Sequence, residues 1–151
     1  MKVKDIMTRD VVTVTEEDTV ERAANILNEK GLTGLPVVDD NNLVKGIITE
    51  GDLMRRISKI DGPSYIEILG GIFPLESKSD FADRLKKSMG YMVKDMMSEE
   101  VITITEEDSL ENAATLMVKE KVKRLPVVDE IGRLLGIISR RDVMKHLFDP
   151  D

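Results

Sequence analysis

Two short phrases place a hydroxyl three residues before a carboxylate. Thr49 precedes Asp52 in "GIITEGDLMRR" (46–56), and Ser139 precedes Asp142 in "GIISRRDVMKH" (136–146). At that spacing both groups fall on the first turn of a helix. Two kinds of chemistry fit. In a capping box the hydroxyl accepts from the backbone N–H three residues on, and the carboxylate accepts from the N–H of the hydroxyl residue. The same pair can also hold a ligand. A hydroxyl and the open N–H groups of a helix start suit a phosphate. An ionised carboxylate only accepts hydrogen bonds, and its two oxygens can take both hydroxyls of a ribose. Capping and binding are compatible.

The elements that must position these groups occur twice. Val3–Arg56 lies over Val93–His146 at an offset of 90 residues without a gap. "VTVT" (Val12–Thr15) and "ITIT" (Ile102–Thr105) alternate as half-buried strands do. Asp18 with Glu21, and Asp108 with Glu111, have N-cap and N3 spacing. Val20, Ala23, Ala24 and Leu27, matched by Leu110, Ala113, Ala114 and Met117, make one apolar helical stripe per copy. "LPVVD" (35–39 and 125–129), a polar turn and a second apolar run read as two strands with a tight connection. A last helix carries Leu53, Met54 and Ile57, or Val143, Met144 and Leu147. Each copy is therefore β-α-β-β-α. One such unit of about 55 residues buries little core. The fold expected is α+β, two repeats packed sheet to sheet as a pseudo-twofold module, with repeat one at 1–58, a connecting insert at 59–92 and repeat two at 93–151.

This order, the "LPVVD…GIIT/SxxD" phrase and the preceding "VKDIM" or "VKDMM" element resemble the CBS domain, which occurs in tandem pairs called Bateman modules. The resemblance covers Val3–Ser58 and Val93–Phe148. It implies a regulatory module that binds an adenosine-containing ligand (AMP, ADP, ATP or S-adenosylmethionine) between the repeats and modulates a partner protein on another chain. It also implies that Asp52 and Asp142 take the ribose and that Thr49 and Ser139 lie toward the phosphate. Thr13, Thr15, Thr103 and Thr105, with the stretches Gly34-Leu35-Pro36 and Leu125-Pro126, would line the clefts. Their apolar members would sandwich a base, and strand propensity alone also accounts for the threonines. Members of the family commonly form dimers, and a homodimer is expected here.

The copies differ where a polyphosphate would sit. Copy one has Thr33-Gly34 before "LPVVD" and Glu50 after Thr49, whereas copy two has Lys123-Arg124 and then Arg140 and Arg141. In the family a basic pair before that phrase often faces phosphates, and Lys and Arg suit that role. A solvated charged strand end explains the same residues. Two inequivalent clefts are expected, one suited to a di- or triphosphate and one to a less charged adenosyl ligand.

Composition narrows the rest. The 151 residues carry a net charge of −7, which disfavours nucleic acid, and there is no cysteine and one histidine. Disulfides, thiolate metal sites and His-cluster metal sites are thereby excluded. No apolar run approaches the roughly 18 residues of a membrane span, and "MKVKDIMTRD" lacks the apolar stretch of a signal peptide, so a cytoplasmic protein is expected. No Ser/His/Asp set, P-loop or catalytic carboxylate pair emerges, so the expectation is no enzyme and no required cofactor or metal. The methionines read as core filling and His146 as a surface residue. The insert holds Tyr65, Phe73, Phe81 and Tyr91 among breakers, with short helices expected around Ser64–Leu69 and Asp80–Ser88. The competing reading is a structural or interaction protein with vacant clefts, docking through 59–92.

Overall fold

The structure is a computed structural model, and it describes residues 1–58, 65–68, 71–74 and 91–149. The elements run α1 (Val3–Ile6), α2 (Val20–Lys30), β1 (Gly34–Val38), β2 (Val44–Thr49), α3 (Glu50–Ser58), β3 (Tyr65–Ile68), β4 (Gly71–Pro74), a 3-10 turn (Val93–Asp95), α4 (Leu110–Lys119), β5 (Arg124–Val128), β6 (Leu134–Ser139) and α5 (Arg140–Phe148). β1 pairs with β2, and β5 with β6 in antiparallel register. The chain forms two compact units: Met1–Thr15, Pro36–Ile47 and Ser98–Asp151 make one, Glu16–Leu35 with Ile48–Met97 the other. The mixed helix-and-sheet fold and its duplication are as the sequence led us to expect.

Helices α2 and α4 start one residue later than the Asp spacing suggested. Thr19 and Ser109 are the N-caps, and each hydroxyl accepts the N–H three residues on, from Arg22 and Asn112, at 3.1 Å. Both caps have extended backbone, which a residue just outside a helix needs. At α2's other end Gly31 ends the helix at φ 62°, and the equivalent position in copy two, Lys121, takes φ 56°. A helix end of this kind favours glycine.

The strands expected at Val12–Thr15 and Ile102–Thr105 shrink to single parallel bridges, Val14 to Val37 and Ile104 to Val127. Val14 N–H donates to Pro36 O at 3.1 Å, and Val14 O accepts from Val38 N–H at 3.0 Å; Ile104 makes the equivalent two bonds with Pro126 O and Val128 N–H. Extending either ladder back to Val12 or Ile102 would need an N–H from Pro36 or Pro126, which proline lacks. The side chains of Val14 and Ile104 are nonetheless buried.

The leaders are exchanged between the repeats. In the first unit Val3 N–H donates to Asp108 O (2.9 Å), Lys4 N–H to Glu106 O (3.0 Å), and Thr8 exchanges two 2.9 Å bonds with Ile137. Val3 and Met7 accordingly pack with Ile104, Leu110, Ala113, Met117, Leu125, Val127, Ile138 and Val143, all from copy two. In the second unit Val93 N–H donates to Asp18 O (2.8 Å) and Lys94 N–H to Glu16 O (3.1 Å). Val93 has no exposed surface there, like Val20 and Ala23.

Three further expectations change. Tyr65–Ile68 is a strand, paired antiparallel with Gly71–Pro74, where a helix over Ser64–Leu69 was expected. Two β-branched isoleucines and a tyrosine favour that outcome. The Asp80–Ser88 helix lies outside the described residues. Met7 and Met117 fill the core, but Met54 (62% exposed) and Met144 (55%) do not, and Leu147 is also exposed. Among the described stripe residues of α3 and α5, Leu53 and Val143 are buried. His146 is half-buried rather than a plain surface residue, its Nδ1 2.9 Å from Asp142 O on its own helix.

Candidate functional site

The Ser139 turn is built by the end of β6 and the start of α5. Ser139 N–H (2.8 Å) and Oγ–H (2.7 Å) both donate to Asp142 Oδ2, and Asp142 N–H donates back to Ser139 Oγ at 3.2 Å. The capping box is real. It also concentrates its bonds on one carboxylate oxygen, for no described residue bonds Asp142 Oδ1. A carboxylate has about four lone-pair positions, so about two remain for a ligand.

Basic residues surround this turn. Arg124 stands opposite Ser139 in the β5–β6 register, followed by Leu125 opposite Ile138 and Pro126 opposite Ile137. Arg140 N–H donates to Lys123 O at 2.8 Å, which fastens the start of β5 to the first residue of α5. Lys123, Arg140 and Arg141 are exposed. The strand register thus gathers Lys123, Arg124, Ser139, Arg140 and Asp142 from two stretches of sequence. Leu125 has no exposed surface and Pro126 is buried, so both support the site from below.

The threonines divide. Because Ile104 bridges Val127, Thr103 is exposed on the side of Pro126, toward the Ser139 end, and Thr105 is on the side of Val128, toward the hairpin tip. Thr105 N–H and Oγ1–H each donate to Asp108 Oδ2 at 2.9 Å. Its hydroxyl is committed to that turn. There it lines a separate groove with Glu106, Glu107, Ile131 and Arg133.

In copy one the Thr49 turn has the same geometry. Thr49 N–H (2.8 Å) and Oγ1–H (3.0 Å) donate to Asp52 Oδ2, and Asp52 N–H donates to Thr49 Oγ1 at 3.2 Å. Glu50 N–H donates to Thr33 O at 2.9 Å, the counterpart of the Arg140–Lys123 bond. Here the resemblance stops. Asp52 is buried (8% exposed), and its Oδ1 forms an ion pair with Arg55, a residue the sequence reading passed over. Gly34 is half-buried and Leu35 has no exposed surface beside this turn; in the first unit Pro36 is buried, Thr13 and Thr15 half-buried. Arg55 was findable: it lies three residues after Asp52, within reach on one helix face.

Among the described residues no cluster of His, Asp and Glu could hold a metal ion, and no helix is long and apolar enough to cross a membrane.

The CBS domain family model matches twice, at residues 3–59 and 93–149. Protein MJ1426 of Methanocaldococcus jannaschii is 31% identical over 156 residues, covering 97% of this chain and 91% of that one. The inosine-5'-monophosphate dehydrogenase of the same organism is 33% identical over 145 residues, 96% of this chain but 23% of the enzyme. The crystal structure of CBSX2 in complex with AMP, a protein of Arabidopsis thaliana, superposes with a TM-score of 0.75 at 29% identity, covering 99% of this chain and 97% of that one.

Proposed function

This chain belongs to the CBS domain family, and on that footing we propose that it is a regulatory module binding an adenosine-containing ligand and modulating a partner protein. The observation that carries the proposal is the Ser139–Asp142 turn. Its cap saturates one oxygen of Asp142 and leaves the other to a ribose, beside the basic residues Lys123, Arg124, Arg140 and Arg141. Ribose hydroxyls would donate to Asp142. Ser139 and the N–H groups at the start of α5 would face the first phosphate. Arg and Lys would take further phosphates. A relative of 29% identity crystallised with AMP supports the ligand class. Copy two, with the larger positive charge, is assigned the more phosphorylated ligand. Copy one, with Thr33, Gly34 and Glu50, is assigned the less charged one, S-adenosylmethionine included.

The module performs no chemistry of its own in this reading; the match to a dehydrogenase covers 23% of that enzyme. Ligand acts through differential affinity for two arrangements of the module or its partner. Exposed Met54 and Met144, at equivalent places on α3 and α5, and Leu147 and Phe148 support a homodimer. A cytoplasmic location and a regulated protein on another chain complete the proposal. The test is a thermal-shift series with AMP, ADP, ATP and S-adenosylmethionine. A ligand at a hundredfold its Kd stabilises by about 2.7 kcal/mol, whereas no shift with any of the four contradicts the proposal.

A further inference from the structure

The two carboxylates of the repeated phrase are not equally available. Asp52 is buried, and both its oxygens are occupied: Oδ2 by the Thr49 cap, Oδ1 by Arg55. The Arg55 side chain is itself 66% exposed, so the pair joins a solvent-exposed guanidinium to a buried carboxylate. A Cβ at Gly51 would make ordinary contact with Arg55 Nη1 and Thr49 Oγ1, each at 3.5 Å. Copy two has Arg141 in place of Gly51 and Lys145 in place of Arg55. Lys145 makes no side-chain bond to Asp142, although both are described.

We infer that Arg55 is a latch on the Asp52 carboxylate that makes the copy-one site select phosphorylated over uncharged nucleosides. The inference rests on the reading of Asp52 as a ribose acceptor. A ribose that takes Asp52 Oδ1 must displace the guanidinium. If the ligand carries a phosphate at the helix start, the displaced guanidinium, a planar fork one turn away, gains a new anionic partner. If the ligand is uncharged, the Asp52 ion pair is broken and no phosphate replaces it. The latch reverses part of the selectivity that charge alone assigns to copy one: Glu50 disfavours phosphates there, and Arg55 favours them.

The test is calorimetric titration of the full chain with adenosine and with AMP in an Asp142→Asn background, so that copy one alone reports. Asparagine keeps an oxygen for the cap, and a melting curve for each variant checks folding. Adding Arg55→Ala is expected to tighten adenosine about two- to fivefold, the value of one partly exposed ion pair, and to weaken AMP, so the AMP-to-adenosine affinity ratio falls about tenfold. An unchanged ratio, with binding still lost in Asp52→Asn, overturns the latch and leaves the site standing. Equal binding by the Asp52→Asn derivative, or binding of neither ligand in the background protein, removes the Asp52 site and the latch with it.

Discussion

Asn42 and Gly132 occupy the same left-handed turn position in the two repeats, and each gives its carbonyl to the other's hairpin. Val44 N–H donates to Gly132 O (3.1 Å) and Leu134 N–H to Asn42 O (2.9 Å), at φ 63° for Asn42 and 92° for Gly132. The Asn42 side chain adds a bond from Nδ2 to Leu134 O at 2.9 Å. This reciprocal pair ties the two hairpin tips within one compact unit. Asn42→Ala loses the side-chain bond and strains the backbone, and is expected to cost about 1–2 kcal/mol in chemical denaturation. Asn42→Gly, which keeps the conformation, should cost less than Asn42→Ala. The reverse order would show that the left-handed backbone is not what Asn42 supplies.

Lys121 carries a conformation that copy one gives to Gly31. Lys121→Gly relieves the left-handed strain at an exposed helix end and is expected to stabilise by about 0.5–1 kcal/mol. Gly31→Lys, where a Cβ meets nothing within 4 Å, is expected to destabilise by about 1 kcal/mol through backbone strain alone. Thermal melting of both variants checks the opposite signs.

Gly136 lies under the exchanged leader. A Cβ there would stand 2.7 Å from Met7 Sδ and 2.8 Å from Thr8 O, and the second is backbone that cannot swing aside. Gly136→Ala is expected to lower stability by about 1–3 kcal/mol, an overpacking cost. A melting temperature equal to wild type would show that the leader is not held against β6.

Glu107 holds Lys2 at 2.5 Å and Lys4 at 2.6 Å, and hydrogen bonds from the two ammonium groups lower its carboxyl from 4.5 to about 2. A depressed carboxylate contributes stability fully above its unfolded value and loses it as the folded value is passed. The stability difference between wild type and Glu107→Gln should therefore be constant above about pH 5 and shrink from there to about pH 2. It should also narrow at high salt, because all three side chains are well exposed. A gap that widens on acidification would contradict the assignment.

The repeat was legible because both copies obey the same local rules: helix stripes, turn residues and the S/T-x-x-D phrase. Expectations drawn from one segment at a time failed where a neighbour decided the outcome. Proline, read as a marker inside "LPVVD", ends the parallel ladder that Val12 and Ile102 were expected to continue. The leaders Val3–Thr8 and Val93–Ser98 read as part of their own repeats, yet they bond to the opposite ones. Each copy offers them equivalent acceptors, Glu16 and Asp18 in one and Glu106 and Asp108 in the other, so local pattern does not say which is chosen. Thr105 matched the threonine motif but is consumed by Asp108. The Arg55–Asp52 pair is within reach of helix spacing, but it is no part of the repeat, because copy two has Lys145 at the position of Arg55.

The most direct measurement is calorimetric titration of the full chain with AMP, made on wild type and on Asp142→Asn. The account predicts saturable binding by wild type and at least a tenfold loss of affinity for one class of sites in the variant, with the melting temperature near that of wild type. Equal affinity and stoichiometry in the two proteins, or no heat and no stabilisation in either, would leave the Ser139–Asp142 turn as a helix cap and contradict the central claim.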